Sequence, residues 1–249
     1  MEKRKKDKIK FAVTFLIIVI AFVFVISIML KYNVEGEKNV PFNISEIIVI
    51  SSAEGRPKSE NPENFKWNLD IVQYNDIYIR IGKNEEYNKN AYIESGTLEN
   101  FEFTTPKQGN TRIYMPNSTE GSMFAYDDMY LLNRTLTYNG GEQDDMKTLE
   151  INSQGGDVIF RVANTTLGEY VSNEDAEISH NGTLISKTNA KIEDIQIDLS
   201  FDIVIKTNIV TYRGNVKLKL PCGDIITEGT SQQVKKDFED VIFKRENYW

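Results

Sequence analysis

The feature that most constrains this chain is an uninterrupted apolar run near its N-terminus. Residues 11–30 read FAVTFLIIVIAFVFVISIML, without a charge and with only Thr14 and Ser27 polar. A helix of this length is roughly 30 Å long, which matches the hydrocarbon thickness of a bilayer. The run is longer than the apolar part of a cleaved signal peptide, and no A-x-A-like cleavage site follows it. The sequence therefore predicts an uncleaved transmembrane helix at residues 11–30, with the lipid bilayer as its partner.

The basic residues on one flank predict the orientation of this helix. Residues 1–10 hold six Lys or Arg side chains, whereas residues 31–45 hold only Lys31 and Lys38. Because the cytoplasmic flanks of membrane helices are enriched in Lys and Arg, we expect residues 1–10 to be a basic cytoplasmic tail. The remainder is then expected outside the cytoplasm, as a juxtamembrane stalk at residues 31–44 and a folded region at residues 45–249.

Charge and cysteine content limit what the outer region can be. Residues 1–10 hold six basic and two acidic side chains, a net charge of +4; since the whole chain carries −8, residues 11–249 carry −12. A polyanionic region repels phosphate backbones, so we expect no nucleic-acid partner. Cys222 is the only cysteine, so no intramolecular disulfide can form and the fold must rely on its core. We expect Cys222 itself to be a small buried side chain.

Alternation of apolar and polar residues predicts that the outer region is built from β-strands. From Ile195 to Ile205 every odd-numbered residue is apolar, and the residues between them are polar except Val204. From Val210 to Leu220 the apolar residues again stand on alternate positions, here even-numbered: Val210, Tyr212, Val216, Leu218 and Leu220. A strand places such residues on one face, whereas a helix would scatter them around its circumference. We predict that the two segments pair as a long antiparallel hairpin with one solvated face.

Turn-forming residues separate other strand-like runs. Asn181-Gly182 is typical of a two-residue hairpin turn, since both positions require positive φ. Gly155-Gly156-Asp157 divides LEINS from VIFRV, and Asn139-Gly140-Gly141 closes a further apolar run. The sequence therefore predicts a mainly β fold: a single N-terminal transmembrane helix followed by an antiparallel, β-sandwich-like region.

Two points of organisation stay open at this level. The β-rich region at residues 45–249 is long enough for one large or two small β modules, and residues 139–146 are the best boundary if there are two. The segment from Ser231 to Asp240 is the best candidate for a helix outside the membrane, although a strand ending at Phe243 fits it equally well.

The residues that usually carry catalysis or bind metals are scarce. His180 is the only histidine, it lies beside the predicted Asn181-Gly182 turn, and no G-x-S-x-G motif accompanies it. We therefore predict no catalytic residues and no cofactor. Carboxylates in loops can hold calcium, which needs several oxygen ligands. The weak candidates for such a site are Asp127, Asp128, Asp144, Asp145, Glu174, Asp175 and Glu177.

These patterns favour a non-enzymatic binding or scaffold module of the cell envelope, with other envelope proteins as partners. The abundance of Lys, Ile, Asn and Glu is typical of a Gram-positive bacterium with an AT-rich genome. One alternative is a membrane-tethered hydrolase of cell-wall glycan that uses paired acids. Another is a calcium-responsive surface module.

Overall fold

The fold was described from a computed structural model, which defines residues 2–58, 67–87, 90–114, 124, 135–139, 155–172 and 184–246. Its first element is helix α1, Glu2–Glu35, and residues 8–35 of this helix are long and apolar enough to cross a membrane. In the most apolar 18-residue window of that span, no residue is buried inside the described part of the protein. Large apolar side chains such as Phe11 and Phe22 are 75% and 66% exposed, which is the expected state of a lipid-facing helix.

In the part of the chain that the structure describes, ten strands follow the helix and form two five-stranded antiparallel sheets. The first sheet has the strand order β4-β6-β2-β1-β9, and the second has the order β10-β8-β7-β3-β5. The strands are β1 (Phe42–Pro57), β2 (Trp67–Lys83), β3 (Ile93–Phe103), β4 (Asn110–Tyr114), β5 (Thr135–Asn139), β6 (Gly155–Ser172), β7 (Ile197–Thr207), β8 (Thr211–Leu220), β9 (Thr230–Lys235) and β10 (Lys244–Arg245). The prediction of a mainly β, sandwich-like fold behind one apolar helix is confirmed.

The hairpin predicted from alternation is present. Strands β7 and β8 pair antiparallel, with Ile197 opposite Leu220 and Lys206 opposite Thr211. The odd-numbered side chains of β7 are buried, and Asp198 and Lys206 on the other face are exposed. The period of two in the sequence therefore predicted both the pairing partner and the buried face, because the side-chain direction alternates along a strand.

Both sheets contribute to one large hydrophobic core. Its centre is a group of three aromatic rings, in which Phe160 of the first sheet meets Phe201 of the second edge-on, with 5.2 Å between ring centroids. Phe101 packs on both rings, at 5.4 Å and 5.5 Å. Edge-to-face and offset contacts of this kind add to the stabilisation from burial. Buried Ile, Leu and Val side chains of β1, β2, β6, β7 and β8 surround the rings.

The long strands β1 and β2 extend beyond this core and cover a second, smaller one. There Leu69 and Ile71 pack with residues of a 3-10 helix (Ile185–Thr188), of helix α2 (Ile192–Ile195) and of the turn that holds Ile225. Fully buried polar side chains of β1 and β2 accompany the two cores. The hydroxyl of Ser51 donates to Oδ1 of Asn75 over 2.7 Å and accepts from the backbone N–H of Cys222 over 2.9 Å. A buried polar group is tolerated when it is paired in this way.

Several boundaries differ from those expected from the sequence. Helix α1 continues past Leu30 to Glu35, and β1 begins at Phe42, so most of the predicted stalk is either helix or strand. Ile195 belongs to α2 rather than to β7, although its side chain is still buried. Gly155 begins β6 instead of a turn.

The segment with two open interpretations begins as a strand. Residues Thr230–Lys235 form β9 at the edge of the first sheet, paired with β1. The predicted turn at Asn181-Gly182 and residues 140–146 of the predicted boundary lie outside the described residues.

Removal of the ring of Phe201 tests the shared core. We expect Phe201→Ala to lower the free energy of unfolding by about 3–5 kcal/mol, because a buried aromatic side chain is lost and a cavity is left. Phe103→Ala is the matched control, since Phe103 is 40% exposed, and it should cost less than about 1 kcal/mol. Chemical denaturation of the full chain in detergent micelles measures both values. Equal losses for the two variants would contradict the assignment of the core.

Candidate functional site

The end of helix α1 is built around Gly36. Its φ of +66° is left-handed, and its N–H donates to the carbonyl oxygen of Tyr32 over 2.8 Å. This is the glycine-capped helix ending in which one hydrogen bond closes the last turn. A Cβ at Gly36 would lie 2.5 Å from the carbonyl oxygen of Phe243 and from Cγ2 of Ile242. Glycine is therefore required both by the backbone conformation and by the close approach of Ile242 and Phe243, which belong to the C-terminal segment before β10.

A set of hydrogen bonds fastens the helix end to strand β10 and the residues before it. We call this set the clamp, and define it by Tyr32, Glu37, Phe243 and Arg245. The N–H of Glu37 donates to the carbonyl oxygen of Phe243 over 2.7 Å, and the N–H of Arg245 donates to the phenol oxygen of Tyr32 over 2.9 Å. The guanidinium of Arg245 holds both carboxylate oxygens of Glu37, at 2.8 Å and 3.0 Å. Bidentate pairs of this kind fix orientation as well as adding energy.

The electrostatics of the clamp follow from its partial burial. Burial lowers the pKa of Arg245, but the hydrogen bond and the charge of Glu37 outweigh it, so this pKa lies above its ordinary value. Arginine is charged at any physiological pH in either case. The exposed fractions of 43% and 22% for Arg245 and Glu37 place the pair at the surface, so its value lies more in geometry than in stability.

Aromatic packing completes the junction. Phe243 meets Phe42 edge-on, with 4.9 Å between ring centroids, and Tyr212 meets Phe42 at 5.5 Å. Gly214 of β8 leaves space for the ring of Phe243, because a Cβ there would lie 2.7 Å from it. The C-terminal segment is thus seated in the same core that joins the two sheets.

An open cavity of about 830 Å³ lies at this junction, and we call it the junction cavity. The last turn of α1, the start of β1 and the segment before β10 form its walls. Its apolar wall consists of Val34, Val40, Phe42, Ile44, Phe238, Val241, Ile242 and Phe243, and its polar wall of Glu35, Glu37, Lys38, Asn43, Asn84 and Glu239. The volume is that of a site for a drug-sized molecule or a few amino-acid side chains.

The polar wall of the junction cavity is acidic. Three carboxylates face one lysine, Lys38, which lies just after the helix end and pairs with Glu35 over 2.7 Å. The carboxylate of Glu37 is held by Arg245. Glu239 is exposed, and no ion pair to it is found among the described residues. A basic group is therefore the complement that this wall favours.

A second polar cluster lies on the outer face of the second sheet, around Asp202. A bulge in β3 places Asn100 at a φ of +54°, from which its amide donates to Asp202 over 2.8 Å. Asn215 and Arg213 donate to the same carboxylate at 2.8 Å and 2.9 Å. Burial raises the pKa of Asp202, but these three hydrogen bonds outweigh it and lower the pKa overall. Glu99 and Glu246 also pair with Arg213, so this network is internally satisfied and stabilises the sheet.

The residues proposed from sequence as calcium ligands lie outside the described residues, as does His180. Within the ranges that the structure defines, no group of three or more His, Cys, Asp or Glu side chains is placed to hold a metal ion. Cys222 is buried, as expected. Its sulfur lies 3.4 Å from the carbonyl oxygen of Val49.

Sequence reasoning missed the junction cavity. It treated residues 31–44 as a stalk and residues 231–243 as a separate element, whereas the structure brings the two segments together. One signal was present in the sequence: Gly36 follows the apolar helix at the position of a C-terminal cap. A second was the gap at Gly214 in the otherwise apolar even-numbered row of β8. Neither signal predicts which residues pack against these two glycines.

Comparison of this chain with protein-family models, with curated proteins and with solved structures found no match.

Substitution of Gly36 tests the junction. We expect Gly36→Ala to destabilise the protein by about 1–2 kcal/mol from the left-handed conformation alone, with a further cost from the contact with Phe243. For a chain of this size the midpoint of thermal unfolding should fall by roughly 4 °C or more. Gly82→Ala is the control, since its Cβ would meet only the flexible side chain of Asn43 at 3.0 Å. A Gly36→Ala protein as stable as the control would refute this account of the junction.

Alkaline pH provides a second test of the junction. Burial, and then the neighbouring phenol of Tyr87, raise the pKa of Tyr212 to about 12. An acid whose pKa is higher in the folded state stabilises the fold fully below its unfolded pKa of about 10, and this contribution is lost as the pH rises through about 12. We expect denaturant titrations to show a smaller loss of stability between pH 9 and pH 11 for Tyr212→Phe than for the unmodified chain. An identical loss would contradict the burial of this phenol.

Proposed function

We propose that this chain is a non-catalytic, membrane-anchored binding module of the cell envelope, whose β-sandwich is held at the outer surface of the cytoplasmic membrane. The observation that carries the proposal is the continuity of α1 with the sandwich. A fully exposed apolar helix ends directly in a hydrogen-bonded junction, and a cavity opens at that junction. The arrangement suits a protein that presents a binding site at a defined distance from the hydrocarbon layer.

The orientation in this proposal rests on charge. The tail before the apolar run carries a net charge of +4, and residues 11–249 carry −12, which together give the total of −8. Lys and Arg near the end of a membrane helix favour the cytoplasmic side. With the tail inside, the sandwich lies outside. Its fold there relies on the hydrophobic core, because a chain with one cysteine cannot form an intramolecular disulfide.

The length of α1 gives the height of the junction cavity. If residues 11–30 fill the hydrocarbon layer, Glu35 lies roughly 7.5 Å beyond it, at 1.5 Å per residue. The headgroup layer of a bilayer is about 5–8 Å thick on each side. Val34 and Glu35, which line the cavity, are then at the level of the lipid headgroups.

The chemistry of the cavity favours one class of occupant. Glu35 and Glu37 are paired with Lys38 and Arg245, so among the described residues the uncompensated charge of its polar wall is the carboxylate of Glu239. This charge repels the phosphate of a phospholipid headgroup, and the apolar wall favours aliphatic or aromatic side chains. We propose that the occupant is the juxtamembrane segment of another membrane protein, with a basic residue beside apolar ones. Because such a segment is at the same height and is already confined to the membrane plane, a modest affinity suffices for complex formation.

Topology is the first test of this function. Protease added to intact protoplasts should digest the sandwich and leave a fragment of roughly the size of the tail and α1, because only the sandwich is outside. Immunoblots against tags at the two ends would follow both parts. A protein that stays whole under these conditions, yet is digested after lysis, would refute the proposed compartment.

Site-specific crosslinking tests the partner. A photoreactive amino acid at Ile242, which lines the cavity and is 38% exposed, should capture an integral membrane protein in living cells. The same group at Val171, which is 50% exposed at the opposite end of the sandwich, is the positional control. Mass spectrometry should place the crosslink in a juxtamembrane segment with Lys or Arg. Equal capture from both positions, or capture of lipid alone from Ile242, would overturn the proposed occupant.

Charge reversal sharpens this test. Glu239→Lys should reduce the Ile242 crosslink roughly fivefold, since an unfavourable charge at a partly exposed contact costs about 1 kcal/mol. Glu228→Lys makes the same charge change away from the cavity and should leave the yield unchanged.

A further inference from the structure

The turn between β7 and β8 has an unusual residue at its tip. Residues 208–210 connect the two strands, and Ile209 is 48% exposed there. Turn tips are normally occupied by Gly, Asn, Asp or Ser, which tolerate the backbone and the solvent. The turn is well defined, because the hydroxyl of Thr207 donates to the carbonyl oxygen of Val210 over 2.7 Å and accepts from the N–H groups of Ile209 and Val210. Ile209 is therefore held outward by an ordered turn.

A second exposed apolar residue stands beside this tip. Tyr92, just before β3, is 45% exposed, and its N–H donates to Oδ1 of Asn208 over 2.9 Å. The N–H of Asn208 in turn donates to the carbonyl oxygen of Tyr92 over 3.2 Å, and its side-chain amide donates to the carbonyl oxygen of Asn90. Single exposed apolar residues are common on protein surfaces. Here the two segments that carry them are joined by three hydrogen bonds of Asn208, two with Tyr92 and one with Asn90. We call Tyr92 and Ile209 the apolar rim.

The apolar rim lies at the end of the sandwich where α1 joins it. Arg245 pairs with Tyr212 in the second sheet, and the N–H of Arg245 also bonds to Tyr32 of α1. Tyr212 also packs on Phe42 at the start of β1, and from Tyr212 the chain runs back through Thr211, the first residue of β8, into the turn that carries Ile209. This path leads away from the far end of the sandwich, where Ser172 pairs with Trp67. The rim is thus beyond the clamp, on the side of the membrane helix.

We infer that the apolar rim rests on the lipid surface, with the side chains of Tyr92 and Ile209 in the headgroup layer. The inference rests on the proposed function, since it requires α1 to be in the bilayer. Its independent support is the pairing of a tyrosine with an aliphatic residue, because tyrosine is enriched at the membrane interface, where its ring is in an apolar layer and its hydroxyl in a wet one.

A second contact with the bilayer changes what the anchor does. A sandwich joined firmly to α1 still tilts whenever that helix tilts in the bilayer, whereas one that also rests on the apolar rim has a fixed tilt. The junction cavity, which lies beside the clamp, then keeps a constant orientation to the membrane plane. The bilayer in this way orients the junction cavity through the apolar rim, in addition to holding the protein through α1.

Spin labels at four positions of the full chain test the inference. Single cysteines are introduced as Tyr92→Cys, Ile209→Cys, Val171→Cys and Ile20→Cys, and Cys222 stays in place because it is buried. The proteins are reconstituted in vesicles of phosphatidylcholine and phosphatidylglycerol. Power saturation with oxygen and with a water-soluble nickel chelate then reports the depth of each label. The unmodified chain, treated identically, shows whether Cys222 takes up any label.

The expected result is a deep label at position 20, labels at headgroup depth at positions 92 and 209, and a fully aqueous label at position 171. Aqueous labels at positions 92 and 209 together with a deep label at position 20 would overturn the apolar rim and leave the proposed anchor intact. An aqueous label at position 20 would overturn the anchor, and the rim with it. Circular dichroism of each variant confirms that the fold is retained before the depths are compared.

Discussion

The structure depends on the junction at which helix α1 meets the sandwich. Gly36 ends the helix in a left-handed conformation and brings Glu37 against the carbonyl oxygen of Phe243. Without that turn the helix would continue in its own direction, and β1 could not begin at Phe42 inside the core. One residue without a side chain therefore links an element whose surface is suited to lipid to one whose surface is suited to water.

The individual contacts of the clamp contribute little energy, but they join the helix end to the tightly packed core of the sandwich. The ion pair between Glu37 and Arg245 is partly exposed and contributes little by itself. The ring of Phe243 packs on Phe42 and occupies the space left at Gly214. This packing joins the clamp to the main core. Movement of the helix end therefore requires disruption of packed side chains. A cavity at such a place has a definite shape, which is what a binding site for a specific segment needs.

The core accounts for how such a domain persists without covalent reinforcement. Both sheets bury aromatic and branched aliphatic side chains against each other, with Phe160 and Phe201 at the centre. The fully buried polar side chains Ser51 and Asn75 are paired with one another, and the backbone of Cys222 bonds to Ser51. The single cysteine thus contributes a packed sulfur and a hydrogen bond from its backbone. Its thiol is shielded from solvent and from oxidants.

The sequence by itself determined the apolar helix and the strands with strict alternation. The run of residues 11–30 specified a helix that is long and apolar enough to cross a membrane. The period of two in β7 and β8 specified their pairing and their buried face. Both are local properties, fixed by residues that are close along the chain. The sequence could not determine that Tyr32 meets Arg245 or that Phe243 fills the space over Gly214, since these contacts join residues far apart. Only the packing of the two sheets decided them, and with them the junction cavity and the position of the apolar rim.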